Sequence, residues 1–441
     1  MNHSETLDYL FSLQRMGARL GTRTISALLA RLGDPQNAYP SVLVAGTNGK
    51  GSTAAFLASI LHAAGIRTGL YTSPHLVRFE ERIVVDGEMI PPEAVVRHSS
   101  VIREQAEQML ARGGDAEQPS FFETVTALAF RYFEQCHVEV AVLEVGMGGR
   151  LDATSVVDAI TCLFTPIDID HRQHLGDTVG AIAWEKAGIL KSGSRAITVP
   201  QIPDAMEVLS RAAAVRGATL MELEQIWRIT EGAGDTLTLV SGLDPRERLE
   251  GLTVSLAGRH QRINAALAVA AATRLPNLHE RIREDAIRRG LDETRWPGRC
   301  EVVEERPTLL LDGAHNPASA QILRQFLLEK YAARKKKVVL VFGAMQDKDL
   351  EGMMEALFPC AARVILTRAE TPRAADPILL ETLGRRHHPS AVRAPSLSAA
   401  LSAARNEAGP DGVVCVTGSL YLIGDVKTLL EGREPLSRQA L

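Results

Sequence analysis

Two hydrophobic periods alternate along this chain. Short runs rich in β-branched residues give way to longer Ala- and Leu-rich stretches that repeat with helical spacing, a pattern that predicts a parallel sheet flanked by helices. The runs predicted as strands are Ser41–Ala45, Arg67–Tyr71, Val138–Val145, Ile160–Thr165 and Ala196–Val199, then a second series at Thr308–Leu311, Lys337–Phe342, Arg363–Thr367 and Gly412–Thr417. Between the series lies a β-rich, turn-punctuated stretch from about Glu222 to Leu256, followed by a helix starting near Gln261. The segment Arg295-Trp296-Pro297-Gly298-Arg299 breaks the periodicity with Pro and Gly. The expectation is therefore an α/β protein of two domains. Residues 1–296 form a P-loop-type domain with a mostly parallel sheet flanked by helices, and residues 297–441 a smaller Rossmann-like α/β domain.

The residues just past each strand are more informative than the strands. In open parallel sheets, ligands sit beyond the carboxyl ends of the strands, where helix N-termini converge. Those ends carry GTNGKGS (46–52), Thr72-Ser73-Pro74-His75, Glu144, Asp168-Ile169-Asp170-His171, Asp312-Gly313-Ala314-His315 and Thr417-Gly418-Ser419.

Composition narrows the partners. The net charge of −4 supplies no general basic field for nucleic acid or an anionic membrane, so any anion site must be local. No run approaches the roughly 18 apolar residues of a membrane span, and the first residues, MNHSETLDYL, lack a signal-peptide pattern. Five scattered cysteines without a CxxC pair fit reduced thiols in a cytoplasmic protein.

The segment Ser41–Ser59 reads strand, glycine loop, helix. Glycines let backbone N–H groups line a concavity, and the helix N-terminus adds its positive dipole end. Lys50 supplies a cation for the β/γ phosphates and Ser52 a hydroxyl suited to Mg²⁺. The strict phosphate-loop spacing fails, because Val44 stands where the first Gly belongs and Gly51 separates Lys50 from Ser52. Glu144 closes the apolar run VEVAVLEV; an acid there suits Mg²⁺, directly or through water, and equally suits a cap or a salt bridge. Leu151 stands where a dinucleotide fingerprint needs Gly, which argues against an NAD site. His171 alone reads as a capping or paired residue, and Lys186, in WEKAGI, as a surface lysine.

Together the segments GTNGKGST, TSPHL, SFFETVTALAF, LEVGMGGRLDAT, DIDHRQHLG, EKAGI, GRHQRINAALA, RWPGR and LDGAHNP occur in one order that resembles the folylpolyglutamate synthase/dihydrofolate synthase family, a bifunctional bacterial branch of the Mur-type amide ligases. GAMQDKD and VTGSL extend the likeness toward the C-terminus. The resemblance implies that Gly49, Lys50, Gly51 and Ser52 hold ATP, joined by Asn264, Arg299 and Asp312. It implies two Mg²⁺ ions served by Ser73, Glu144, His171 and Lys186, the last carboxylated by CO₂. Catalytic roles fall to Lys50, Lys186 and His315. Gly21-Thr22-Arg23, Phe121-Phe122-Glu123 and Leu151-Asp152-Ala153 align with pteroate or folate contacts, and His315 and Ser419 with the incoming glutamate. One departure is Ser155, where the family usually has Asn.

The implied reaction is ATP-dependent ligation of L-glutamate to 7,8-dihydropteroate and to folyl-glutamates through an acyl phosphate, by a monomeric cytoplasmic enzyme acting on small molecules, with no nucleic-acid or membrane partner. Polyglutamylation alone is the near alternative. A P-loop switch without ligase activity would need the loop but not LDGAHNP or RWPGR. A cell-wall Mur ligase would need a UDP-sugar domain ahead of the loop, and only 45 residues precede Gly46.

Overall fold

The computed structural model describes residues 1–16, 21–111, 118–231 and 236–433. The chain divides into two compact units, Met1–Ser255 with His260–Arg295, and Leu256–Arg259 with Trp296–Leu441. Residues 256–259 join the second unit because Ala257 packs on that unit's core.

The first unit is built on an eight-stranded sheet: β1 (Ser41–Ala45), β2 (Thr68–Tyr71), β3 (Ile83–Val85), β4 (Glu88–Met89), β5 (Val140–Glu144), β6 (Thr161–Phe164), β7 (Arg195–Thr198) and β8 (Thr219–Glu222). Their order is β4-β3-β2-β5-β1-β6-β7-β8. Only the β2–β3 and β3–β4 pairs are antiparallel. Strands β1 and β5 are buried at every position, which is why they read as unbroken apolar runs. The chain leaves β1 toward β2 on one side and crosses from β5 to β6 on the other, so the strand order reverses at β1. In open parallel sheets such a reversal marks where ligands bind, here the carboxyl ends of β1, β5 and β6.

The stretch expected to be β-rich is an antiparallel meander of β9 (Trp227–Glu231), β10 (Leu237–Ser241) and β11 (Arg248–Leu252), with residues 232–235 outside the described ones. The helix expected near Gln261 spans Arg259–Ala272.

The second unit holds β12 (Glu301–Glu305), β13 (Thr308–Leu311), β14 (Val338–Phe342), β15 (Arg363–Leu366), β16 (Val392–Arg393) and β17 (Val413–Thr417), ordered β12-β13-β17-β14-β15-β16. All pairs but β12–β13 are parallel. Because β17 lies between β13 and β14, the loops after these three strands are neighbours at one rim. The fold is therefore α/β in both units, with parallel-rich sheets.

Candidate active site

The glycine loop leaves β1 and turns directly into the helix Lys50–Ala63. Gly49 caps that helix at φ +89°, and a Cβ there would lie 2.5 Å from Oδ1 of Asn264. Only glycine meets both conditions. Asn264 is buried and donates from Nδ2 to Oε1 of buried Gln261 at 3.0 Å, so the helix Arg259–Ala272 presents a fixed amide against the loop. Thr47 ties the loop to β6: its N–H donates to Pro166 O at 2.8 Å, and its Oγ1 donates to Asp168 O at 2.9 Å while accepting the Asp168 N–H at 3.0 Å. Lys50 Nζ donates to Thr47 O at 3.1 Å.

Lys186 lies in the last turn of the helix Val179–Ala187 and is 4% exposed, so the surface assignment that its type suggests is wrong. Its Nζ donates to Gly46 O at 2.6 Å. Burial pushes this amine down to about 7, and the Lys50 cation adds to the shift, against the opposite pull of Asp170 and Asp152. The loop Gly146–Arg150 packs on this same turn. Arg150 N donates to Glu185 O at 2.8 Å, and a Cβ on Gly149 would lie 2.8 Å from the carbonyls of Glu185 and Lys186.

Glu144, at the end of β5, is buried and stands opposite Val44 of β1. Its Oε2 accepts the Ser73 N–H at 3.0 Å, joining the ends of β2 and β5. His171 adopts a left-handed backbone (φ 51°), and its N–H donates to Oδ1 of buried Asp170 at 2.8 Å. Asp170, which also bears on Lys186, was visible in the sequence only as part of an acidic cluster. Among the described residues no three His, Cys, Asp or Glu side chains gather to bind a metal alone. Mg²⁺ takes one or two carboxylates and fills its remaining positions with water and phosphate oxygens. A carboxylate, a hydroxyl and an imidazole are donors that Mg²⁺ accepts, and of the residues that carry them Glu144 and Ser73 are brought together, by the Ser73 N–H on Glu144.

The three segments that the resemblance assigns to folate all lie in the first unit. Gly21 N donates to Leu151 O at 3.0 Å, bringing two of the three segments together. Asp152 is buried, and burial raises its carboxyl, opposed by hydrogen bonds from Thr154 and Met147. Phe122 lies 6.1 Å from the ring of Tyr71. Phe121 stacks on Phe11, with ring centroids 5.8 Å apart. Glu123 accepts the N–H and hydroxyl of Ser120 at 2.9 and 2.8 Å, closing a capping box that starts the helix Phe121–Gln135.

In the second unit, Asp312 comes directly after β13 and accepts the Cys300 and Ala314 N–H groups, each at 2.9 Å. Arg299 Nη1 donates to Gly298 O at 3.1 Å. His315 Nδ1 is 2.9 Å from Gly313 O; a carbonyl only accepts, so Nδ1 carries the proton. Ser419 is buried and caps the helix Leu420–Leu430 by accepting the Tyr421 N–H at 3.1 Å.

Known proteins resemble the chain over nearly its whole length. The chain matches the Mur ligase middle domain over residues 44–272 and the Mur ligase glutamate ligase domain over residues 298–420. The bifunctional folylpolyglutamate synthase/dihydropteroate synthase described as probable in Haloferax volcanii is 38% identical, with 97% of this chain spanning 50% of that protein. The dihydrofolate synthase/folylpolyglutamate synthase of Bacillus subtilis is 34% identical over 97% of this chain and 99% of its own. Mycobacterium tuberculosis folylpolyglutamate synthase complexed with ADP superposes with a TM-score of 0.88 at 33% identity, covering 98% of this chain and all of that one.

Proposed function

The chain belongs to the folylpolyglutamate synthase/dihydrofolate synthase family of Mur ligases, and from that premise we propose that it uses ATP to ligate L-glutamate both to 7,8-dihydropteroate and to folyl-glutamates. It is an ATP-dependent ligase, and the matches to both a Mur middle domain and a glutamate ligase domain leave a stand-alone nucleotide switch without support. The observation that carries the proposal is the meeting of the Gly46–Ser52 loop with two lysines: Lys50 on Thr47 O and buried Lys186 on Gly46 O.

In this reading Gly49, Lys50, Gly51 and Ser52 cradle the triphosphate at the N-terminus of the helix Lys50–Ala63, where backbone dipoles favour anions. Positioning and charge then do most of the work of phosphoryl transfer. The γ-phosphoryl group moves to the acceptor carboxylate. The glutamate amine attacks the acyl carbon, the new amide forms and phosphate leaves. Asn264, Arg299 and Asp312 serve ATP, and His315 and Ser419 the incoming glutamate. Gly21–Arg23, Phe121–Glu123 and Leu151–Ala153 receive the pteroate or folate. Asp312 already holds the Cys300 and Ala314 N–H groups, so its contribution includes shaping the loops that carry Arg299 and His315, while Ser419 starts the helix Leu420–Leu430.

Ser73, Glu144, His171 and a carboxylated Lys186 would hold two Mg²⁺ ions, which supply positive charge against the phosphates. A buried amine beside a second cation favours its uncharged form, the form that captures CO₂. The substrates are small molecules. We take the enzyme to be monomeric and cytoplasmic; the net charge of −4 supplies no general field for nucleic acid, and no helix among the described residues is long and apolar enough to cross a membrane.

The test is ADP release by the purified chain with ATP and glutamate, comparing dihydropteroate with a reduced folate, and mass analysis of the product. Glutamate-dependent amide formation on both acceptors is expected. ADP release that ignores glutamate, with no amide formed, would defeat the proposal.

A further inference from the structure

The turn Phe79–Arg82 leads into β3 and holds the preceding loop residue by residue. Glu81 Oε2 accepts the Leu76 N–H at 2.7 Å, and Oε1 accepts those of Val77 and Arg78 at 2.9 and 2.7 Å. Arg82 O accepts the Thr72 N–H at 3.0 Å. Arg82 Nε donates to His75 Nδ1 at 2.8 Å, with both side chains buried. The same guanidinium lies 5.2 Å from the ring centroid of Phe121. Phe11 stacks on Phe121, and Phe79 meets both Phe11 and His75 at 6.4 and 6.3 Å. With Ser73 N–H on Glu144, every residue from Thr72 to Arg78 except Pro74 is held by a named hydrogen bond.

This is more fixing than a connecting loop needs. Loops normally tolerate motion, and a buried guanidinium is costly to desolvate unless its geometry is well satisfied. Arg82 links two things: the Ser73 loop, through His75, and the aromatic wall, through Phe121. A planar guanidinium can donate sideways from Nε while its face covers a ring; an ammonium, a point charge on a flexible stem, lacks that fixed fork.

We infer that Glu81 and Arg82 are positioning residues for the ligation, locking the Ser73–Arg78 loop to the Phe121 wall so that the acceptor is held in register with the ATP site. This rests on the folate-ligase reading above. Neither residue is assigned to touch substrate. Their effect passes through the loop and the ring, and a displacement of about 1 Å at a reacting centre costs on the order of 100-fold in rate.

The test uses the full chain with Glu81→Gln and Arg82→Lys. Gln is nearly isosteric, but its NH₂ must face one of the three N–H groups that the carboxylate now accepts. Lys keeps the cation and loses the fork. Both variants should lose about tenfold or more in kcat/KM for the folate acceptor. Their ADP affinity, measured by titration calorimetry without acceptor, should stay within about twofold of wild type, because the Lys50 loop is untouched. Folded variants with unchanged acceptor kcat/KM would overturn the inference, and so would equal losses of acceptor kinetics and ADP affinity, which signify general damage. If Arg82→Lys does not fold, Glu81→Gln decides alone, because Glu81 is only half-buried. A wild-type chain with no glutamate-dependent ADP release would sink the ligase reading and this inference with it; active wild type with indifferent variants would sink this inference only.

Discussion

Lys186→Met should make the protein more stable and inactive at once. The wild-type amine is buried, and its fall from 10.5 to about 7 corresponds to roughly 5 kcal/mol of differential interaction at about 1.4 kcal/mol per pKa unit. Against that, Met leaves Gly46 O without its donor, a loss of about 1 kcal/mol, and residual hydration shrinks the desolvation cost. A net gain of ~1–3 kcal/mol at neutral pH is the expected result, the range seen when buried ionic groups give way to apolar ones of similar volume. The pH dependence has a definite sign. Between about 7 and 10.5 the unfolded lysine binds a proton that the folded one has released, so wild-type stability rises with pH across this window. The advantage of Met should therefore be largest at and below pH 7 and shrink as pH climbs. Urea unfolding in CO₂-free buffer, followed by tryptophan fluorescence, to which Trp184 on the same helix turn contributes, measures both quantities. A parallel bicarbonate arm, read by native mass, looks for the CO₂ adduct on wild type and its absence in the variant. A Met variant less stable than wild type at pH 7, or a stability difference flat with pH, would refute the reasoning about the buried amine.

Two further outcomes rest on the same physics. Gly49→Ala should cost about 1–2 kcal/mol from the left-handed backbone alone and more from the Asn264 contact, and should abolish tight ADP binding in calorimetry; a variant that binds ADP like wild type would show the loop to be adaptable. His98 is buried against Tyr132, with ring centroids 6.0 Å apart; burial first, then the Arg131 and Arg97 cations, hold its pKa down to about 4. The unfolded chain takes up this proton near 6.5, so stability should fall as pH drops from about 6.5 through 4, by ~1–2 kcal/mol after screening. His98→Leu should flatten that acid limb in urea midpoints, and an unchanged limb would exclude His98 as its source.

The parallel strands were legible because burial on both faces leaves unbroken apolar runs; Ser41–Ala45 and Thr308–Leu311 have the expected bounds. The edges were not. β4 and β16 are two residues long, and β12 reads EVVEE, which carries no apolar run to find. At the site, the phosphate loop was visible through its glycines, whereas the burial of Lys186 was obscured by residue type. Its spacing did carry the signal: Lys186 falls four residues after Ile182 and three after Ala183, both buried on the inward face of that helix. Gln261, three residues before Asn264, is similar, a polar partner on a helix face that periodicity alone marks as interior. Glu81 and Arg82 were missed for another reason. Their partners are the backbone and ring atoms of a loop, and no pattern of residue types announces such bonds.

The features that resist prediction are also those that cost the fold. Lys50 disfavours the charge of buried Lys186, Glu144 and Asp152 are buried carboxylates, and Gly49 is committed to a left-handed turn, gathered at the carboxyl ends of β1 and β5. Local rules are broken most often where a site needs them broken. A polyphosphate arriving at the loop offsets part of that cost, because an anion favours the charged form of a neighbouring lysine. Any ligand that binds the folded chain alone stabilises it in proportion to the logarithm of its excess over Kd. ATP binding should therefore stabilise the first unit as its concentration rises past Kd, with Lys50, the lysine left as a cation when Lys186 carries CO₂, offsetting the phosphate charge.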